Sequence, residues 1–159
     1  MIDNIVPGVR VGIWKVGMAK HDVVQSLSDF VEEHVDGGFR LVARNYMFWF
    51  DEYHRLTQIM LMNEASDRFD GIGIGTTVGE LRRIYPRLLV DVISEVVVIK
   101  DVPGISFNSE DDPWGSMECD WETVDYLEWK DLDILDSRIK YICVFEIKDD
   151  PFSDCVDIK

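Results

Sequence analysis

Apolar residues recur at helical spacing in two stretches of the chain. The first stretch contains Val23, Val24, Leu27, Phe30, Val31 and Val35, and the second contains Val78, Leu81, Ile84 and Tyr85. Thr77 and Glu80 have the spacing of a capping box at the start of the second stretch. Pro86 is expected to end that helix near Tyr85, because proline disfavours helical backbone in the residue before it. The pattern therefore predicts two principal helices, the first reaching Val35.

A strand-like alternation of apolar and polar residues follows each predicted helix. After the first helix, a strand from Phe39 to Phe50 is expected to turn near Asp51 and Glu52 and to return from Arg55 to Met62. After the second helix, the predicted strands are Glu95 to Lys100, Gly104 to Phe107 and Arg138 to Phe145. The chain is therefore expected to be an α+β protein with a mainly antiparallel sheet.

The two halves of the chain are similar to each other, which indicates a diverged tandem repeat. Gly17 aligns with Gly75, each after a short apolar segment and before a predicted helix, where glycine allows a sharp turn. Arg55 and Arg138 align at the start of the strands that close the two hairpins. Such coincidences also arise by chance in α+β chains. The expected organisation is a single domain over residues 1–159, with strand-helix-strand-strand halves at about 11–62 and 71–145.

The second predicted hairpin contains a long insertion, at about 108–137, that the first hairpin lacks. We call this segment the acidic insertion. Between Ser109 and Ser137 it has eleven acidic residues and one lysine, Lys130, which gives a net charge of −10. It also contains Trp114, Trp121, Tyr126 and Trp129. Long connections inside compact domains are uncommon and are often functional.

Composition and charge narrow the possible classes of function. Of the 159 residues 47% are hydrophobic, which is enough for a folded core. The chain has 31 acidic and 16 basic residues and a net charge of −15. Because this charge is repelled by nucleic-acid phosphates and by anionic membranes, neither is an expected partner. A basic protein is favoured instead.

The N-terminal residues lack the basic start and apolar stretch of a signal peptide, and no apolar run is long enough to cross a membrane. Cys119, Cys143 and Cys155 have neither the pattern of a disulfide framework nor the spacing of a zinc site. A cytoplasmic location is therefore expected. Cys143 lies in an alternating apolar run and is expected to be buried.

Motifs that could carry chemistry do not match their required spacings. In the segment Gly71 to Gly75 the third glycine comes one residue too early for a dinucleotide-binding fingerprint. His21, His34 and His54 lack the spacing of metal ligands, and the first two are expected in solvent near the ends of the first helix. No catalytic residue, metal site or cofactor is therefore predicted.

The acidic insertion is the predicted partner-binding surface. Tryptophan and tyrosine are enriched among interface hot spots, and clustered acids speed association with a cationic partner. The predicted contact residues are Glu110, Asp111, Asp112, Trp114, Asp120, Trp121, Glu122 and Asp125. The alternative is that Trp114, Trp121 and Trp129 pack on the sheet as a local core and that the acids are merely solvated. The apolar residues Leu127, Leu132, Ile134 and Leu135 indicate that part of the insertion packs.

Small, acidic, tryptophan-rich α+β chains without a catalytic motif resemble bacterial immunity proteins of contact-dependent growth inhibition and other polymorphic toxin systems. The string from Val16 to Lys20 is similar to one found in such proteins. The tandem pattern over Val11 to Met62 and Gly71 to Phe145 is also similar to the repeat of the β-lactamase inhibitor protein fold, from which the acidic insertion departs. The resemblance implies a cytoplasmic inhibitor that occludes a cognate toxin domain, often a basic nuclease.

Two other classes of function stay open at this point. A small carboxylate-based or metal-dependent enzyme would place two acids with raised pKa values in a concave pocket. A self-associating module would bury its tryptophans across a two-fold contact. The sequence leaves the oligomeric state open.

Overall fold

A computed structural model describes residues 3–111 and 120–159, which form two sheets and two α-helices. The small sheet contains β1 (Ile5–Val6), β2 (Arg10–Val11) and β3 (Trp14–Lys15). The helices are α1 (Lys20–Ser26) and α2 (Val78–Ile84), and Trp129–Asp131 forms one turn of 3-10 helix. The large sheet contains β4 (Val31–Val35), β5 (Gly38–Val42), β6 (Tyr46–Asp51), β7 (Leu56–Leu61), β8 (Leu88–Asp91), β9 (Val96–Ile99), β10 (Val102–Ser109), β11 (Tyr126–Leu127), β12 (Ile139–Phe145) and β13 (Cys155–Ile158).

The large sheet has the strand order β11-β13-β8-β9-β10-β12-β7-β6-β5-β4. Every neighbouring pair is antiparallel except β11 and β13, which are parallel. The predicted α+β class and the mainly antiparallel sheet are therefore confirmed.

Helix α2 begins and ends where the sequence predicts. Thr77 Oγ1 accepts a hydrogen bond from the Glu80 N–H at 3.1 Å, and Glu80 Oε2 accepts one from the Thr77 N–H at 2.8 Å. The hydrogen bond from the Thr77 backbone lowers the pKa of the Glu80 carboxyl. The helix ends at Ile84, and its C-cap residue Tyr85 lies directly before Pro86. The capping box is therefore confirmed.

Helix α1 is shorter than the sequence predicts. It ends at Ser26, and Val31–Val35 forms strand β4, so the prediction of a helix to Val35 is wrong. Strand β4 turns into β5 through Asp36 and Gly37 alone, with Val35 paired to Gly38. An Asp-Gly pair between two strands is a strong hairpin signal, and valine favours strands. His34 consequently lies in a strand and not at a helix end.

The remaining differences between the predicted and the observed strands concern their ends and their number. The predicted strand from Phe39 to Phe50 is two strands, β5 and β6, joined by a turn in which the Ala43 N–H donates to the Tyr46 carbonyl at 2.9 Å. The predicted turn after β6 is present, since Asp51 Oδ1 accepts from the Tyr53 N–H at 2.9 Å. Strands β8 and β13 were not predicted. Strand β13 follows the polar residues 149–154 and pairs with β8.

The main hydrophobic core lies on one face of the large sheet, which we call the inner face. Side chains of alternate strand residues point to this face. Among them are Leu41, Phe48, Ile59, Val90, Val97, Phe107 and Ile142. Val23 of α1 and Leu81 of α2 are fully buried in the same cluster. The two α-helices therefore cover the inner face.

The two α-helices are anchored to the sheet by matching hydrogen bonds. The Gly17 N–H donates to the Leu56 carbonyl at 2.7 Å, and the Gly75 N–H donates to the Ile139 carbonyl at 2.9 Å. The two glycines have φ values of 90° and 89°, which glycine adopts without steric cost. Helix α1 is followed by four strands of the large sheet, β4 to β7, and α2 is followed by six, β8 to β13.

Strands β7 and β12 join the two halves at the middle of the sheet. The strand order reads β4-β5-β6-β7 from one edge, and β8-β9-β10-β12 toward the same point from the other side. At the junction Met60 lies opposite Cys143, and Ile59 lies opposite Val144. One continuous sheet therefore crosses both halves.

Candidate functional site

The described part of the acidic insertion packs its apolar side chains on the inner-face core. Its buried residues are Leu127, Trp129, Leu132 and Ile134. The Gly79 N–H donates to the Leu135 carbonyl at 2.8 Å, so the insertion lies against the start of α2. The Arg82 guanidinium lies 4.5 Å from the centre of the Trp129 ring. Trp129 therefore belongs to the local core that the sequence left as an alternative.

The structure places the predicted contact residues in different environments. Asp112 and Trp114 lie outside the described residues. Trp121 is half-buried and packs against the core cluster. The exposed members of the set are Glu110, Asp111, Asp120, Glu122 and Asp125. The described part of the predicted surface is therefore mainly carboxylate, with less exposed aromatic area than the sequence indicated.

Hydrogen bonds and an ion pair hold described acids of the insertion in place. Asp120 Oδ1 accepts from the Glu122 N–H at 3.1 Å, and the Glu110 N–H donates to the Arg138 carbonyl at 2.8 Å. Lys130 forms an ion pair with Glu128 at 2.9 Å, and this hydrogen-bonded contact raises the pKa of Lys130. Further exposed acids are Asp131, Asp133 and Asp136. The surface of the insertion is therefore strongly negative.

The face of the large sheet opposite the inner face is a second candidate surface, which we call the outer face. Cross-strand pairing arranges its side chains in rows. One row contains Val31, Val42, Met47, Met60, Cys143 and Ser106. The neighbouring row contains Glu33, Arg40, Trp49, Gln58 and Phe145. Tyr141 and Asn108 are paired beside the first row.

Aromatic and basic side chains meet on the outer face. Arg40 Nε donates to Glu33 Oε2 at 2.8 Å, and the Arg40 guanidinium lies 6.0 Å from the centre of the Trp49 ring. The Lys140 ammonium lies 5.2 Å from the centre of the Tyr141 ring. Trp49 and Tyr141 are both half-buried. Aromatic residues, methionine and arginine are the residues enriched in the cores of protein interfaces.

A cavity of about 520 Å³ lies over the outer face, beside the segment 146–154 that connects β12 to β13. Its floor includes Gln58, Met60, Ser106, Asn108 and Cys143. Its walls include Asp91, Glu146, Lys148, Asp150 and Asp154. The walls therefore have four carboxylates and one ammonium group, so the cavity favours cationic groups over anionic ones.

The thiols on the outer face are poorly suited to nucleophilic chemistry. Cys143 is 7% exposed, which confirms that it is buried, although it lies outside the inner-face cluster. Burial raises the pKa of Cys143 to about 11, although hydrogen bonds from Gln58 and Ser106 oppose this shift. Burial, together with Asp91, raises the pKa of Cys155 to about 12. Since the thiolate is the nucleophile, both thiols are weakly reactive at neutral pH.

A buried carboxylate joins the N-terminal segment to β6. Asp67 is 7% exposed and accepts hydrogen bonds from Asn4 Nδ2 at 2.7 Å and from the Tyr46 hydroxyl. Burial and the neighbouring Asp67 raise the pKa of Tyr46. Buried charges are costly unless they are hydrogen-bonded, so this network has a structural role.

Among residues 3–111 and 120–159, no group of three or more His, Cys, Asp and Glu side chains is placed to hold a metal ion. None of the described helices has the length and apolar character needed to span a bilayer.

Comparisons with protein-family models, with curated proteins and with solved structures gave no match.

The outer face was not predicted as a candidate surface. The signal for it lies in the run from Tyr46 to Phe50, where every residue is apolar. A strand with apolar residues at both odd and even positions has two apolar faces. Only one of these faces is needed for the core, so the other, with Met47 and Trp49, is left available for contacts.

Proposed function

We propose that this chain is an immunity protein that binds and neutralises a cognate, basic toxin domain of the nuclease type. Neutralisation is steric and electrostatic occlusion of the toxin, without chemistry by the inhibitor. The class of protein is the one that the sequence resembles, namely the immunity proteins of contact-dependent growth inhibition and related toxin systems. The inhibitor acts in the cytoplasm, where such toxins reach their targets.

The observation that supports this proposal is the arrangement of the acidic insertion. In its described part, Leu127, Trp129, Leu132 and Ile134 are packed in the core, while Asp120, Glu122 and Asp125 are exposed. A segment held in place by its own core presents these charges in a defined geometry. The net charge of −15 extends the attraction to a basic partner beyond the contact itself.

We also propose that the two halves are diverged copies of one strand-helix-strand-strand unit. The matching glycines and hydrogen bonds before α1 and α2 support this proposal. The order of the strands on one side of β7 and β12 mirrors the order on the other side, which also supports a repeat.

The proposal is tested with the polypeptide encoded directly beside the gene for this chain, since immunity genes usually adjoin their toxin genes. We expect this polypeptide to arrest growth when it is produced alone in a bacterial host, and co-production of this chain to restore growth. The purified pair should bind in a one-to-one ratio, and the affinity should fall as the salt concentration rises. Failure to bind at low salt would contradict the proposal and favour the enzyme alternative.

The contribution of the insertion is tested with the double variant Glu122→Gln/Asp125→Asn. Both carboxylates are exposed, so the fold should be unaffected. We expect association with the toxin domain to be about 2- to 10-fold slower at low salt, because steering acts mainly on the association rate. Stopped-flow binding at several salt concentrations measures this rate. An unchanged rate would remove the insertion from the proposal.

A further inference from the structure

We infer that the outer face of the large sheet forms the short-range contact with the partner, and that this partner presents a cationic surface with an apolar centre. The inference rests on the proposed function, because it names the part of this chain that touches the basic toxin domain. It also separates two roles, with attraction at long range coming from the whole acidic molecule and tight contact coming from the outer face.

The apolar centre of the outer face has the composition of an interface core. Met47, Met60 and Trp49 come from adjacent strands near the middle of the sheet, and Tyr141 lies on the next strand. Binding energy at interfaces is concentrated in a few such aromatic and arginine residues, surrounded by contacts that exclude water. The α-helices of the described residues bury side chains on the inner face, and Met47, Trp49 and Met60 are half-buried on the outer face.

The charges of the outer face and its cavity select a cationic partner. The acidic side chains are Glu33, Asp91, Glu146, Asp150, Asp154 and Asp157. The basic side chains are Arg40, Lys140 and Lys148. Arg40 and Glu33 pair with each other, so the charges that face a partner are those of the five other acids and the two lysines. Complementary potentials across an interface therefore require net positive charge on the partner.

A second copy of this chain is a poor occupant of the same face. Each copy has a net charge of −15, and two outer faces would place their carboxylates against each other. Like charges across an interface are destabilising. In the described part of the acidic insertion, Trp129 is buried, Trp121 packs against the core, and Tyr126 is 46% exposed, so this part has fewer available aromatic side chains than its sequence indicates.

The experiment compares aromatic variants on and off the outer face, with the neighbouring-gene polypeptide as the probe. The outer-face variants are Trp49→Ala and Tyr141→Ala, and the control is Tyr53→Ala. Tyr53 is 76% exposed and lies in the turn between β6 and β7. We expect each outer-face variant to weaken the affinity at least ~10-fold, mainly through faster dissociation, and Tyr53→Ala to leave it within about 2-fold.

The folding of each variant is checked by circular dichroism and thermal unfolding of the free chain. If Trp49→Ala fails to fold, Trp49→Phe replaces it, since it keeps an aromatic ring but removes the indole. A smaller loss of affinity with Trp49→Phe than with Tyr141→Ala is expected in that case.

A second comparison uses charge variants of equal size on the two surfaces. Asp150→Asn/Asp154→Asn alters the cavity wall, and Glu122→Gln/Asp125→Asn alters the insertion. Each pair changes the net charge by the same amount, so effects of total charge cancel. We expect faster dissociation only for the cavity pair, because only those carboxylates lie in the inferred contact.

The outcomes separate the location of the contact from the function. Lack of binding by the wild-type chain would overturn the proposed function and, with it, this inference. Tight binding by the wild type and equally tight binding by both aromatic variants would overturn the inference alone. Sedimentation of the free chain as a dimer that Trp49→Ala dissociates would also overturn it, because a second copy would then cover the outer face.

Discussion

Individual tryptophans in this chain have roles that their sequence neighbours do not distinguish. Trp129 is surrounded by acidic residues in the sequence, yet it is 8% exposed and lies under the Arg82 guanidinium. Trp49 lies in an apolar run, yet it is half-buried on the outer face beside Arg40. Local polarity is therefore a poor guide to which aromatic residue is available for a partner.

The raised pKa values of Cys143 and Cys155 allow a prediction at the level of single residues. With pKa values of about 11 and 12, Cys143 and Cys155 have a much smaller thiolate fraction near neutral pH than ordinary cysteines. In a Cys119→Ser background we expect alkylation by iodoacetamide at a pH of about 8 to be ~100-fold slower in the folded chain than in denaturant. Mass spectrometry of timed samples measures the two rates.

The rate should rise steeply as the pH approaches the raised pKa values, because the thiolate fraction then increases. Free iodoacetamide with a small thiol is the control for the reagent. If the folded chain is alkylated as fast as the chain in denaturant, the thiols are accessible and their pKa values are ordinary.

The two α-helices differ in whether a side chain accepts a hydrogen bond from a backbone N–H of the first turn. Thr77 precedes α2 with φ −78° and ψ 155°, and its side chain accepts a hydrogen bond. Ala19 precedes α1 in nearly the same conformation, φ −67° and ψ 140°, but has no side-chain oxygen. An N-cap side chain stabilises a helix because it pairs a backbone N–H that otherwise lacks a partner.

Removing the N-cap hydroxyl of α2 and adding one to α1 should change the stability of the chain in opposite directions. Thr77→Ala is expected to lower the free energy of unfolding by about 1 kcal/mol, and Ala19→Ser is expected to raise it by about 0.5 to 1 kcal/mol. Unfolding in urea, followed by circular dichroism, measures both changes. Ala19→Gly serves as a control without a hydroxyl. A loss of stability with Ala19→Ser would show that the start of α1 is not limited by its cap.

The same elements show which parts of the fold the sequence could predict. Helix α2 was predictable because Thr77, Glu80 and Pro86 all act locally. Residues 31–35 were not assigned correctly, because Val31 and Val35 fit the helical spacing of the preceding residues by chance. Their strand depends on pairing with β5, which the spacing of apolar residues does not report.

At the scale of the whole molecule, the acidity was predictable and the second candidate surface was not. Charge is a sum over residues and needs no fold. The outer face exists only because β6, β7 and β12 lie side by side, and β12 is distant from the other two in sequence. Trp49 and Tyr141 therefore share a surface that no local string indicates.

The net charge also predicts how the folded state responds to salt. Repulsion among excess carboxylates destabilises the compact state, and salt screens this repulsion. We expect the melting temperature to rise between about 0.05 M and about 0.5 M sodium chloride at neutral pH. Scanning calorimetry measures the change. The variant Glu122→Gln/Asp125→Asn, with fewer charges, should show a smaller rise, and an equal or larger rise would contradict this explanation.

The junction between β7 and β12 has a consequence for synthesis on the ribosome. Strand β7 ends at Leu61, and its partner β12 begins at Ile139. At typical elongation rates the ribosome needs roughly 4 to 16 s to make the residues between them. During that interval β4 to β7 are made but β7 lacks its partner β12, and an unpaired apolar edge of this kind recruits other chains. The protein is therefore most exposed to misassembly while only its first half has been made. A chaperone would have most effect during this interval.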